Sequence, residues 1–148
     1  MIDSELIERY TVAKYIVDNN GMPVRLRVGA LNIEVDNILA QYEATTAYFI
    51  TPENPFSQEL TEEENRLRHE RFITVITKSN FPYLTGYGTN EDESWTKENS
   101  YLVISSDVSA VHTLAANFGQ NGILKVENGK PVSLLLLDGM SYLDSTLA

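Results

Sequence analysis

The 148 residues, 43% hydrophobic and 22% charged, have the size and composition of one folded domain that buries roughly 70% of its unfolded surface, which excludes a disordered chain. The absence of cysteine removes disulfides, thiolate metal sites and a cysteine nucleophile; the acidic start Met1–Glu5 has no apolar run of signal-peptide length and no stretch approaches the roughly 20 apolar residues of a membrane span, so a cytoplasmic protein is expected. A net charge of −10 opposes conventional binding to nucleic acid and to anionic lipid, and instead serves solubility or attracts a basic protein partner.

The spacing predicts a short helix over residues 3 to 9, capped by Asp3 or Ser4, and a strand over 10 to 18, where β-branched and aromatic types gather. Asn19-Asn20-Gly21 is a turn signal before Pro23–Val28, whose alternation turns Val24, Leu26 and Val28 inward, so the two strands form a hairpin. Asn32 caps a helix to about Glu43 with Leu31, Val35, Ile38, Leu39 and Tyr42 on one core stripe. Residues 44 to 51 form an apolar strand suited to the middle of a sheet, stopped by Pro52 and Pro55.

Thr61 and Glu64 have capping-box spacing, and three acids in the first turn complement the helix dipole, so a long helix is expected over about 62 to 79. A strand from Phe81 to Tyr87 ends in Gly86-Tyr87-Gly88, read as a tight turn, and a polar loop covers Thr89–Asn99. Tyr101–Ile104 is a short strand. Asp107 caps a helix with Val108, Val111, Leu114, Ala115 and Phe118 on one face, and Gly119 stands at the left-handed C-terminal position. Gly122–Glu127 and Pro131–Leu137 flank the hairpin dipeptide Asn128-Gly129, and a short polar tail follows. The expected fold is α+β, a single domain of residues 1–148 with a core of about 10 to 137. A mixed β-sheet carries three to four helices in the order α-β-β-α-β-α-β-β-α-β-β.

The long helix breaks its own pattern. Phe72, Ile73, Val75 and Ile76 define its buried direction, and projecting back at about 100° per residue puts Asn65, Arg68 and His69 on the same inward stripe, with Leu67 outside. Inward polar groups need partners. They either tie down the preceding loop by bonding its carbonyls or line a pocket beneath Asn54-Pro55-Phe56-Ser57. The loop leaves the carboxyl end of a central strand, where ligands often bind, but Glu62, Glu63 and Glu64 oppose a phosphate at the helix N-terminus, leaving Arg68 as the countercharge.

A second polar cluster, Gly119-Gln120-Asn121-Gly122, either caps carbonyls or joins that pocket. Trp95 anchors its loop or closes over a ligand. Glu91-Asp92-Glu93 with Glu98 matches no EF-hand spacing, so no metal site is expected. His69 and Glu98 are the candidates for proton transfer, with no nucleophile beside them, while His112 flanks a core face.

Tyr48-Phe49-Ile50-Thr51, Asn54-Pro55, Ser57, Glu64-Asn65, Arg68, Gly86-x-Gly88, Trp95, Glu98-x-Ser100 and Phe118-Gly119-Gln120-Asn121 follow one another in an order that resembles DUF3293, a bacterial family of uncharacterised proteins. The resemblance runs from about Tyr10 to Leu137. It implies no activity, but it implies that Asn54, Ser57, Asn65, Arg68, Glu98, Gln120 and Asn121 are the recurring polar positions. Lys97 and Gly122 depart from it, where the family has proline and alanine.

Two functions compete. In one, a small bacterial or phage-type protein takes a small anionic or nucleotide-like ligand in a polar pocket formed by Asn54, Ser57, Asn65, Arg68, Gln120 and Asn121, with Arg68 pairing the anion and Glu98 or His69 handling protons. In the other, an acidic interaction or inhibitor protein, of phage-defence or DNA-mimic type, engages a basic partner through Glu59, Glu62 and Glu63. The residues fix no reaction and no cofactor.

Overall fold

The computed structural model describes residues 4–138 and 141–144. In chain order its elements are α1 (Ser4–Val12), β1 (Lys14–Asn19), β2 (Met22–Leu26), α2 (Ile33–Gln41), β3 (Thr46–Ile50), α3 (Glu62–Lys78), β4 (Tyr83–Thr89), β5 (Glu98–Ile104), α4 (Val108–Asn117), β6 (Gly122–Glu127), β7 (Ser133–Asp138) and β8 (Ser141–Asp144). A single 3-10 turn covers Pro55–Ser57. The α+β class and the expected order hold through β7. Beyond it, the residues expected as a polar tail include β8, which pairs with β7; the proposed cap Asp3 and residues 145–148 lie outside the described residues.

All eight strands share one sheet in the order β2-β1-β4-β5-β3-β6-β7-β8. Every neighbouring pair of strands is antiparallel, which corrects the expected mixed sheet. The reason lies in the two helical crossovers. Strands β3 and β4, joined by α3, run the same way but have β5 between them; β5 and β6, joined by α4, run the same way but have β3 between them. Each crossover therefore skips a strand, the split βαβ connectivity of ferredoxin-like folds. The β1–β2 hairpin extends this unit beside β4, and β7 with β8 extends it beside β6. Among the described residues, an isolated parallel bridge outside the named strands joins Val28 and Val132.

Helices cover both faces of the sheet. On one face, Val35, Ile38 and Leu39 of α2, with Ile7 and Tyr10 of α1, pack on Val17, Leu26, Phe49, Leu102, Leu124 and Leu134. On the other, Phe72 and Ile76 of α3 and Val111, Leu114 and Ala115 of α4 pack on Tyr48, Ile50, Tyr101, Val103 and Leu135. Burial on both faces explains why β3 reads Thr-Ala-Tyr-Phe-Ile without polar alternation, and all five residues are buried. No helix among the described residues is long and apolar enough to cross a membrane.

The caps follow the sequence. Asn32 accepts from Val35 N, Thr61 and Glu64 form the full capping box, Asp107 accepts from Ala110 N, and Gly119 takes a φ of +68°. The core stripe of α2 is narrower than its pattern: Leu31 (68% exposed) precedes the helix, and Tyr42 (40%) is its C-cap, so both point to solvent. Likewise Val108 is exposed at the first turn of α4. Helix α1 runs three residues past its expected end, because Tyr10 and Ala13 pack on the core and that packing outweighs the β preference of Tyr10, Thr11 and Val12. Gly86-Tyr87-Gly88 lies inside β4 rather than in a turn, and β5 begins at Glu98, shortening the polar loop.

Candidate functional site

Strand β3 delivers the chain into the 51–61 segment at the end of the sheet where β5 and β6 begin. Thr51 Oγ1 donates to Asn99 O (2.7 Å) and accepts from Glu53 N (3.1 Å), which fixes the segment to the start of β5. Asn54 then takes a left-handed conformation (φ 50°, ψ 62°), tolerable for asparagine, and uses its side chain as a hub. Its Oδ1 accepts from Leu60 N (2.9 Å) and Asn65 Nδ2 (3.0 Å), and its Nδ2 donates to Glu98 Oε2 (2.7 Å). Asn65 Oδ1 returns a bond by accepting from Asn54 N (3.1 Å). The inward projection of α3 holds for Asn65, Arg68 and His69, the only residues of its first eight that are not exposed, whereas Val75, expected on the buried side, is 40% exposed.

Arg68 does something different from Asn65. Its Nε donates to Pro52 O (2.6 Å), its Nη2 donates to Phe118 O, and its guanidinium lies 5.3 Å from the Phe118 ring centre. Burial, with Arg71 nearby, pulls its pKa down from the usual value. The arginine therefore staples the end of β3 to the end of α4. Gln120, 7% exposed, adds to the staple by donating from Nε2 to Glu53 O (3.0 Å) and Phe118 O (3.2 Å). Asn121 Nδ2 donates to Ser57 Oγ (2.8 Å) and so holds the 3-10 turn.

His69 joins two groups that the sequence reading left out. Its Nδ1 is 2.7 Å from Tyr101 OH, and its Nε2 is 2.6 Å from Oε2 of Glu53, itself only 7% exposed. Asn99 N–H also donates to Glu53 Oε2 (2.8 Å), marking that oxygen as an acceptor. Burial, with Tyr83 and Glu53 nearby, raises the Tyr101 pKa, so the phenol keeps its proton. The consistent assignment has Tyr101 O–H donating to Nδ1 and Nε2–H donating to the carboxylate. Glu53 carries no helical or strand periodicity to flag it, and Tyr101 reads as one more apolar strand residue; only the convergence of β5, α3 and the 51–61 segment makes them a chain.

Glu98 is half-buried beside Tyr10 and Asn54. Burial is the main cause that raises its carboxyl pKa and the Glu53 charge adds to it, while the Asn54 bond and Arg9 oppose the rise. A carboxyl raised in the folded state contributes stability below its unfolded pKa and loses it as pH rises through the folded value. Glu98→Gln, which keeps a partner for Asn54, should match the parent in urea midpoint at pH 4 and exceed it at pH 7 and above. A gain confined to acid pH would contradict this sign.

These groups line a cleft of about 1190 Å³ that wraps the end of the sheet, closed on one side by α1 through Leu6, Arg9 and Tyr10. Of the residues expected there, Asn54, Ser57, Asn65, His69, Glu98 and Gln120 line it, joined by Glu53, Tyr10 and Tyr101. Arg68 and Asn121 stand behind the wall as supports. Trp95 reaches the rim half-exposed with Arg9 5.8 Å from its ring centre. The acidic loop is paired: Glu91 with Arg25, and Glu93 with Lys14 (2.6 Å) and Lys97 (3.2 Å). Among the described residues no group of three or more His, Asp or Glu is placed to hold a metal ion.

No curated protein and no solved structure matches the chain. The model of a family described as "Protein of unknown function (DUF3293)" matches residues 50–123, half of the 148. The matched stretch opens at the last residue of β3 and closes just inside β6, so it takes in the 51–61 segment, α3, β4 and β5 of the cleft and leaves out α1, β1, Ala13, Phe49 and Leu124. On that match the chain belongs to the DUF3293 family.

Proposed function

We infer that the chain binds a small polar organic ligand in the cleft at the sheet end, with Glu98 and the Glu53–His69–Tyr101 chain as its proton-handling groups. One observation carries this reading: hydrogen-bonding side chains from the 51–61 segment, α3, β5 and Gln120 between α4 and β6 converge on one cleft, already held in place by bonds to one another. Prior ordering of that kind lowers the entropy cost of binding. An anionic ligand is disfavoured, because Arg68 is committed to carbonyls behind the wall while Glu53 and Glu98 face the cleft.

A fragment screen by ligand-observed NMR tests the reading. Thr85 lines the cleft from an exposed position on β4, and Thr85→Trp should fill space without touching the core. Fragments that bind the parent should lose at least about tenfold in affinity against a folded Thr85→Trp protein, a penalty typical of lost pocket volume. Fragments that bind both proteins equally would place binding elsewhere and overturn the reading.

A further inference from the structure

We propose that the cleft selects a ligand carrying an ammonium or amidinium group beside an apolar or aromatic body, with the cation held between Glu53 and Glu98. The proposal rests on the cleft being a ligand site and names the class of ligand.

Two dipeptides hold each other across the end of the sheet. Asn54 supplies its side-chain amide to Glu98, and Asn99 supplies its backbone N–H to Glu53, so each carboxyl is fixed by the neighbour of the other. The bonds from described protein donors fall on Oε2 of both carboxyls. Asn54, His69 and Asn99 leave both Oε1 atoms unbonded.

Among the described residues no lysine or arginine forms an ion pair with either carboxyl, although three line the same cleft. Two of them are paired elsewhere, and Arg9 acts on Glu98 without forming an ion pair. Arg66 pairs with Glu63 and Glu70, Lys97 pairs with Glu93 and lies 4.2 Å from the Tyr87 ring centre, and Arg9 lies over Trp95. The two carboxyls repel, as the effect of Glu53 on Glu98 shows, and a cation between them relieves the repulsion. Tyr10, Tyr15 and Phe49 also line the cleft, and Tyr10, the least buried of them, offers ring surface to a cation and its apolar body. A chain with net charge −10 draws cations toward such a cleft at long range.

Three probes share a phenol ring and a two-carbon chain and differ in its terminal group, a cation, none or an anion: tyramine, 4-ethylphenol and 4-hydroxyphenylpropionate. Titration followed by amide shifts of Asn54, Ser57 and Asn99 should give tyramine at least about tenfold tighter binding than either analogue, a preference of the size expected for a desolvated charge pair. Glu98→Gln should cut tyramine affinity about tenfold and leave 4-ethylphenol within about twofold.

Equal or tighter binding of the carboxylate, or a tyramine preference that survives Glu98→Gln, overturns the proposal. Binding of the neutral or anionic probe alone at these amides removes the cation class and leaves the cleft reading standing. If none of the three moves these amides at millimolar concentration, the cation class falls, and the fragment screen still decides the cleft.

Discussion

Gly86→Ala is expected to destabilise the fold by at least about 4 kcal/mol, beyond the range of most single substitutions and close to the whole stability of a small domain. A Cβ at this position would lie 2.2 Å from the Ile16 carbonyl oxygen and 2.9 Å from the Phe49 ring. The first contact is with backbone in the neighbouring strand, which cannot turn away as a side-chain tip could. Relief requires β1 and β4 to separate, and these strands pair over Lys14–Val17 and Gly86–Thr89. Gly88, two residues on, provides the control. Its Cβ would meet the Tyr15 ring at 3.6 Å, an ordinary contact, so Gly88→Ala should cost less than about 1 kcal/mol. Urea denaturation of both variants checks the pair. Similar midpoints for the two would mean that the close packing of β4 on β1 does not set the demand for glycine.

The same residue marks where the sequence ceased to be legible. Gly86-x-Gly88 reads locally as a turn, because glycine between polar residues usually is one; its real reason is a carbonyl on β1, some 70 positions earlier in the chain. The helix caps were readable because their bonding partners lie within four residues, as for Asn32, the Thr61–Glu64 box and Asp107, and Gly129 was readable because its turn calls for the positive φ (75°) it adopts. The inward placing of Asn65, Arg68 and His69 was readable too, since helical periodicity fixes direction. What those side chains meet was not. Glu53, in a segment without periodicity, becomes the partner of His69 only because the 51–61 segment folds back over α3, and Tyr101 joins them from β5. The antiparallel sheet escaped for a related reason, as alternating strands and helices suggest parallel neighbours unless the crossovers are known to skip a strand.

Arg68 separates a support from a ligand contact, and its removal gives the second large expected effect. Arg68→Ala strips the donors from Pro52 O and Phe118 O at once. Hydrogen bonds from a charged donor contribute about 1.5 to 3 kcal/mol each, and part of the second is retained because Gln120 Nε2 still reaches Phe118 O at 3.2 Å. A loss of about 3 kcal/mol follows, which for a domain of this size lowers Tm by roughly 6 to 12 °C. Arg68→Lys should recover less than half of it, since one ammonium cannot span both carbonyls and stack over the Phe118 ring as the planar guanidinium does. Arg66→Ala, one turn face away and paired only at the surface with Glu63 and Glu70, should change stability by less than about 1 kcal/mol. Thermal melts of the three variants distinguish the roles. If Arg68 were instead the countercharge of a bound anion, its loss would abolish anion binding and leave the melt of the ligand-free protein where it was. The two carbonyl bonds demand the reverse: a large fall in Tm without any ligand, and an amine preference in the cleft that persists wherever the variant remains folded.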